Sequence, residues 1–175
     1  MPRAILASLV VFLALSVLSD LRTRRIPNLL SGAAMIAGLL MNATFSGVSG
    51  VYASLAGAAL AIGILVWPFA AGGLGGGDVK MMGAVGAFVG PRLAIMGLVI
   101  GMILGGIIMA VHLVRLGRLR EKLASLRTMV TVAAGSRSLR PLMVRADDEA
   151  VVALPYSVPL ALGTVSALIL AGGIR

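Results

Sequence analysis

Five long apolar runs, at positions 4–18, 29–45, 51–69, 93–114 and 151–171, point this chain of 175 residues toward a helical bundle in a lipid bilayer. A crossing helix needs roughly 20 residues at about 1.5 Å of rise each, so the first two runs must borrow flanking residues. A sixth run, 79–89, is shorter still. It reaches across only by starting below the surface, in a protein-lined or wet cavity. Charged residues make up 12% of the chain, about half the share of a soluble domain, against 59% hydrophobic. The absence of cysteine excludes disulfides, cysteine-ligated zinc and thiol catalysis.

The first run has the outline of a signal peptide, with Arg3 ahead of an apolar core. The next stretch, "SDLRTRRIPN", is a charged stop without a small-residue cleavage site, so the run reads as a retained helix. Basic residues then assign the sides. If all six runs cross, Arg22, Arg24, Arg25, Lys80 and the eight basic residues between positions 115 and 145 share one face. Only Arg3, Arg92 and Arg175 remain for the other. The positive-inside rule makes the crowded face cytoplasmic. The formal net charge of +9 therefore reads as membrane sidedness, with no nucleic acid implied as a partner.

The expected architecture is all-α: a single integral-membrane domain over 1–175 with six transmembrane helices. They lie at about 4–19, 28–45, 51–70, 78–90, 93–114 and 151–171, with both termini outside and a cytoplasmic loop at 115–150. Within that loop Leu116, Leu119, Leu123, Leu126 and Val130 recur with helical period among basic residues. This fits an amphipathic helix lying on anionic lipid, and also a solvated linker between two spans.

Asp20 closes the first span and Asp78 opens the fourth, so six crossings put both carboxylates at the cytoplasmic ends of their helices. Two carboxyl groups brought close in a partly dry site cannot both ionise cheaply and share a proton. One then serves as base toward water while the other, protonated, polarises a peptide carbonyl; this is hydrolysis without covalent intermediate, cofactor or metal. Gly75, Gly76 and Gly77 are expected to let backbone approach closely, to accept unusual dihedrals and to leave room for an extended substrate. Each feature also has a plainer account: Asp78 as a helix cap, Lys80 snorkelling to headgroups, glycines serving helix packing. The two acids on one face, behind the glycines, favour function, since acids inside a membrane segment are costly.

The stretch "DLRTRRIPN" at 20–28 resembles the first catalytic motif of the type IV prepilin peptidases, an aspartate followed by Ile-Pro and Asn. "GGGDVKMMGAVGAFVG" at 75–90 is similar to their second, Gly-x-Gly-Asp with x-Lys and a Gly-Ala-aromatic-x-Gly turn. "LPYSVPLALG" at 154–163 is similar to their last helix. The resemblance implies an aspartic endopeptidase of the bacterial inner membrane. Such enzymes cut the short basic leader from pilin-like precursors at the cytoplasmic face. Carried over by motif, Asp20 and Asp78 are the catalytic pair. Gly75 and Gly77 shape the second motif, and Arg25, Pro27, Asn28 and Lys80 are supporting neighbours. Larger members carry a four-cysteine zinc domain and methylate the new N-terminus. This cysteine-free chain resembles the short Flp/Tad-type members with peptidase activity alone. The family often has Pro-Tyr-Gly where this chain has Pro-Tyr-Ser, and Ser157 is given little weight.

His112 reads as packing or interfacial, since no spacing joins it to the aspartates as a metal ligand. Trp67 and Pro68 read as an interfacial anchor and a local bend, and Pro155 and Pro159 are expected to distort the last helix. The alternative function is a small proton- or cation-coupled transporter using the same aspartates, against which no inverted repeat is evident. A serine–lysine peptidase built on Lys80 is disfavoured by the cytoplasmic placement of that lysine. A non-enzymatic assembly factor is the remaining rival.

Overall fold

A computed structural model describes residues 1–117 and 156–172. Its elements are four helices: α1 (Arg3–Thr23), α2 (Asn28–Ala70), α3 (Gly76–Arg115) and α4 (Ser157–Leu170). No strand occurs among the described residues. The first three are long and apolar enough to cross a membrane, and much of their outer surface is exposed Leu, Ile, Val and Phe. An apolar exterior of this extent is stable when lipid is the solvent. The amphipathic segment expected in the 115–150 loop falls, from residue 118 onward, outside the described residues, as does the start of the sixth expected span.

The two longest helices are hairpins. In α2 the break is Gly47, at φ 59° and ψ −142°, a conformation open to glycine and closed to side-chain-bearing residues. Met35 and Ile62, on opposite sides of the break, both meet Gly83 of α3. Gly38 and Gly57 likewise both meet the 86–90 stretch, so the halves run antiparallel. In α3 the break is Gly90, at φ 76°, followed by Pro91. A straight helix would hold residues 78 and 105 about 40 Å apart. Instead Gly105 packs on Tyr156, whose neighbour Ser157 hydrogen-bonds Asp20, the acid paired with Asp78. The loops expected near 46–50 and 91–92 are thus single glycine breaks. A chain bending at one residue keeps nearly all its backbone hydrogen bonds within helices, as an apolar surrounding demands.

Pro91 has no N–H to offer the preceding turn, which leaves carbonyls there in need of a donor. Asn42 supplies it. Its side-chain nitrogen lies 2.9 Å from the Ala87 oxygen and 3.0 Å from the Phe88 oxygen, and 3.0 Å from the Gly38 oxygen on its own helix. One amide therefore ties both hairpins together at the end remote from the aspartates.

The first half of α3 is the centre of the bundle. Every residue from Met81 to Phe88 is buried, so this short rod faces protein rather than lipid. That resolves how so brief an apolar run finds a place: it has no bilayer thickness to match. Around it α1 contributes Ile5, Leu9, Phe12 and Leu13, with the Phe12 and Phe88 rings 6.5 Å apart between centroids. On one flank Gly57 and Gly86 bring two backbones into direct contact; on the other, Gly163 meets Gly97 and Gly101. Such small-residue contacts replace the hydrophobic force that lipid cannot supply between helices. The expected distortion by Pro159 is absent, because Pro159 sits in the first turn of α4, where no intrahelical N–H bond is lost.

Candidate active site

Helical periodicity decides which way the acids face. On α1 the buried positions Ile5, Leu9, Phe12, Leu13 and Ser16 form one stripe, and Asp20 continues it four residues beyond Ser16. On α3 Asp78 stands three, four and seven residues before Met81, Met82 and Val85, all fully buried. Asp78 itself is 8% exposed, while Asp20 is half-buried. Both carboxylates point inward at the same end of the bundle, near enough for a direct electrostatic interaction. Fifty-seven residues of intervening chain, most of them in the α2 hairpin, run out and back between them.

Each acid is set in place by its own local structure. Beyond Asp20 the helix ends on Arg24, whose backbone is left-handed at φ 51° and donates to the Asp20 carbonyl at 2.8 Å. The turn is closed by Ser19, whose hydroxyl donates to the Arg25 carbonyl at 2.9 Å, and by Thr23 beside the same oxygen. Arg25 thus contributes through its backbone, while its side chain is exposed. Ile26 is buried and Pro27 starts α2, its carbonyl receiving the Ser31 amide at 3.2 Å. At the second motif, Asp78 lies in the first turn of α3 and its amide donates to the Gly75 carbonyl at 3.1 Å. The Asp78 carboxylate lies back against Gly75.

The glycines act by size alone. Gly75 has ordinary extended angles, φ −75° and ψ 142°, and Gly76 and Gly77 lie in helix, so the unusual dihedrals expected of them are not used. Positive φ in this turn belongs to Gly72. A Cβ on Gly75 would stand 3.1 Å from Asp78 Oδ2, and one on Gly77 would rest against Ile26 at 3.4 Å. Gly77 is where the two motifs touch.

A second link joins them. Lys80 Nζ donates to Asn28 Oδ1 at 2.7 Å, across 52 residues. Among the described residues, then, the expected supporting set gathers around two helix starts, α2 and α3, with Asp20 between. His112 belongs to no group of three metal-ligating side chains among the described residues.

One polar neighbour is not among the residues that the motifs single out. Ser157, the first residue of α4, is completely buried, and its hydroxyl donates to Asp20 Oδ2 at 2.5 Å. The signal was present: Ser157, Leu160, Thr164 and Ala167 recur at helical spacing, which puts the serine on the packed face of α4.

Fold and site define a helical membrane protein with two aspartates gathered at one end of its bundle. The sequence model of the type IV leader peptidase family matches residues 7–110. That match takes in more than half of the chain and both aspartates, and the chain belongs to this family. Membership implies a peptidase, with a pilin-like precursor as the kind of substrate. No curated protein and no solved structure matches the chain.

Proposed function

We propose that the protein is an aspartic endopeptidase that removes the short basic leader of pilin-like precursors at the cytoplasmic face of the bacterial inner membrane. Asp20 and Asp78 hold one water between them. One carboxylate takes a proton from that water as it attacks the scissile carbonyl. The other, carrying the shared proton, hydrogen-bonds the carbonyl oxygen as charge develops there and then passes the proton to the leaving amine. Substrate backbone lies beside Gly75 and Gly77, where missing side chains leave the carboxylates open to an extended strand. No methyl transfer accompanies cleavage, in keeping with the short Flp/Tad-type pattern of the sequence.

The observation that carries this reading is the convergence of Asp20 and Asp78 from separate helices within the segment matched by the leader peptidase family. The bundle also supports the sidedness. Its rods reverse at Gly47 and Gly90, so Arg22, Arg24, Arg25 and Lys80 all lie at the aspartate end. The test is co-expression with pilin-like precursors of the same cell, following leader removal on a gel. Asp20→Asn and Asp78→Asn each abolish cleavage at unchanged membrane abundance. Cleavage that survives in either variant defeats the two-aspartate mechanism.

A further inference from the structure

The two carboxylates are restrained differently. Asp78 is nine-tenths buried and sits in the first turn of α3 with its carboxylate against Gly75, three residues before it. Asp20 stands in the last turn of α1, where the helix is giving way to the Arg24 turn, and is only half-buried. Among the described residues, the side chain that donates to its carboxylate comes from 137 residues away, on α4.

We propose that Ser157 is a positioning residue of the peptidase, holding the Asp20 carboxylate in the rotamer that serves the shared water. The inference rests on the two-aspartate reading above. Its geometry is simple. A serine hydroxyl has one proton, and here it is committed to Oδ2, which ties that oxygen and leaves Oδ1 as the oxygen available to water. Ser157 is fixed at both ends: its backbone opens α4, and its side chain has no exposure through which solvent could compete for the bond. The helix behind it is anchored by close backbone contacts, Gly163 against Gly97 and Gly101, and Gly97 and Gly101 against Thr164 and Leu160. The carboxylate is thereby referenced to a rigid element rather than to a fraying helix end, as a preorganised site requires. Position 157 lies beyond the residues matched by the family model, and the contact is read from the structure of this chain.

The experiment uses the full-length chain in membranes with a precursor that it cleaves, comparing wild type, Ser157→Ala, Ser157→Thr, Asp20→Asn and Asp78→Asn at equal inserted amounts. Ser157→Ala is expected to lower kcat by about ten- to a hundredfold, the range for losing one hydrogen bond to a charged group, while KM for the precursor stays within about twofold. Ser157→Thr, which keeps the hydroxyl, is expected to recover most of kcat. Wild-type kcat in Ser157→Ala overturns the proposal, as does a loss seen only in KM, or an equal loss in Ser157→Thr. The aspartate controls separate the two levels. If Asp20→Asn and Asp78→Asn are inactive and Ser157→Ala is not impaired, only the role of Ser157 falls; if an asparagine variant cleaves, the underlying mechanism falls.

Discussion

The Lys80 ammonium at the start of α3 hydrogen-bonds the Asn28 side chain at the start of α2, with 2.7 Å between Nζ and Oδ1. Asn28 lies eight positions beyond Asp20 and Lys80 two beyond Asp78, so the bond fastens one motif to the other close to both acids. A lysine in a chain this apolar is accounted for once its partner is known: the charge is exposed on one side and satisfied on the other.

Because that bond is the polar one of the two links between these helix starts, its loss should loosen the spacing of the carboxylates without unfolding the bundle. Lys80→Ala and Asn28→Ala are each expected to slow cleavage by about three- to tenfold, matching a net hydrogen-bond contribution of about 0.5–1.5 kcal/mol. The double variant should be no slower than the worse single one, since both remove the same contact. A double-mutant cycle on kcat/KM measures this; additive losses would mean that the two side chains act separately.

Gly75 is a matter of space. A methyl group there stands 3.1 Å from Asp78 Oδ2, close enough to turn the carboxylate or block the strand beside it. Its backbone angles suit alanine, so the fold should tolerate the change. Gly75→Ala is therefore expected to insert and melt like the wild type and to lose at least about tenfold in cleavage. A thermal melt in detergent run beside the gel assay distinguishes this from simple misfolding.

Much of this arrangement was legible in the sequence. The short run 79–89 was readable as a segment sheltered by protein, and the central stretch from Met81 to Phe88, buried throughout, matches that reading. The two motifs could be brought together on paper because two apolar runs of crossing length separate them, and an even number of crossings returns the chain to its starting side. The sharpness of the turns was not legible. Nothing in the run around Gly47 distinguishes a loop of several residues from one residue at positive φ, since local composition is glycine- and serine-rich either way. Asn42 and Ser157 were missed for a related reason. Their partners lie 45 and 137 residues away, and the meaning of one polar residue in a long apolar stretch depends on what packs opposite.

The glycine contacts make a contrast that stability measurements can read. A Cβ on Gly57 would overlap the Gly86 carbonyl and come within 2.8 Å of Gly90, all of it backbone that cannot step aside. On Gly63, in the same helix, a Cβ meets nothing within 4 Å. Gly57→Ala is expected to destabilise the bundle by at least about 1–3 kcal/mol, whereas Gly63→Ala should be neutral or stabilise it by about 0.5–1 kcal/mol through helix propensity. Unfolding in detergent by heat or denaturant reports both. Equal behaviour of the two variants would contradict the close approach of the α2 and α3 hairpins.

Asn42 offers the sharpest separation of fold from chemistry, because it acts at the opposite end of the bundle from the carboxylates. Its amide serves the Ala87 and Phe88 carbonyls that the Gly90–Pro91 break leaves without helical donors. Asn42→Leu, similar in volume but without a donor, leaves those carbonyls in an apolar setting at a cost of about 1–3 kcal/mol. The first half of α3 carries Asp78 at its other end, so a weakened far anchor should lower the melting temperature and steepen the loss of activity on warming. At low temperature, where the bundle stays closed, cleavage should remain within about twofold of wild type. Parallel melting and activity curves test this: a variant equally inactive at every temperature, with an unchanged melt, would show that Asn42 bears on the aspartates rather than on the break it caps.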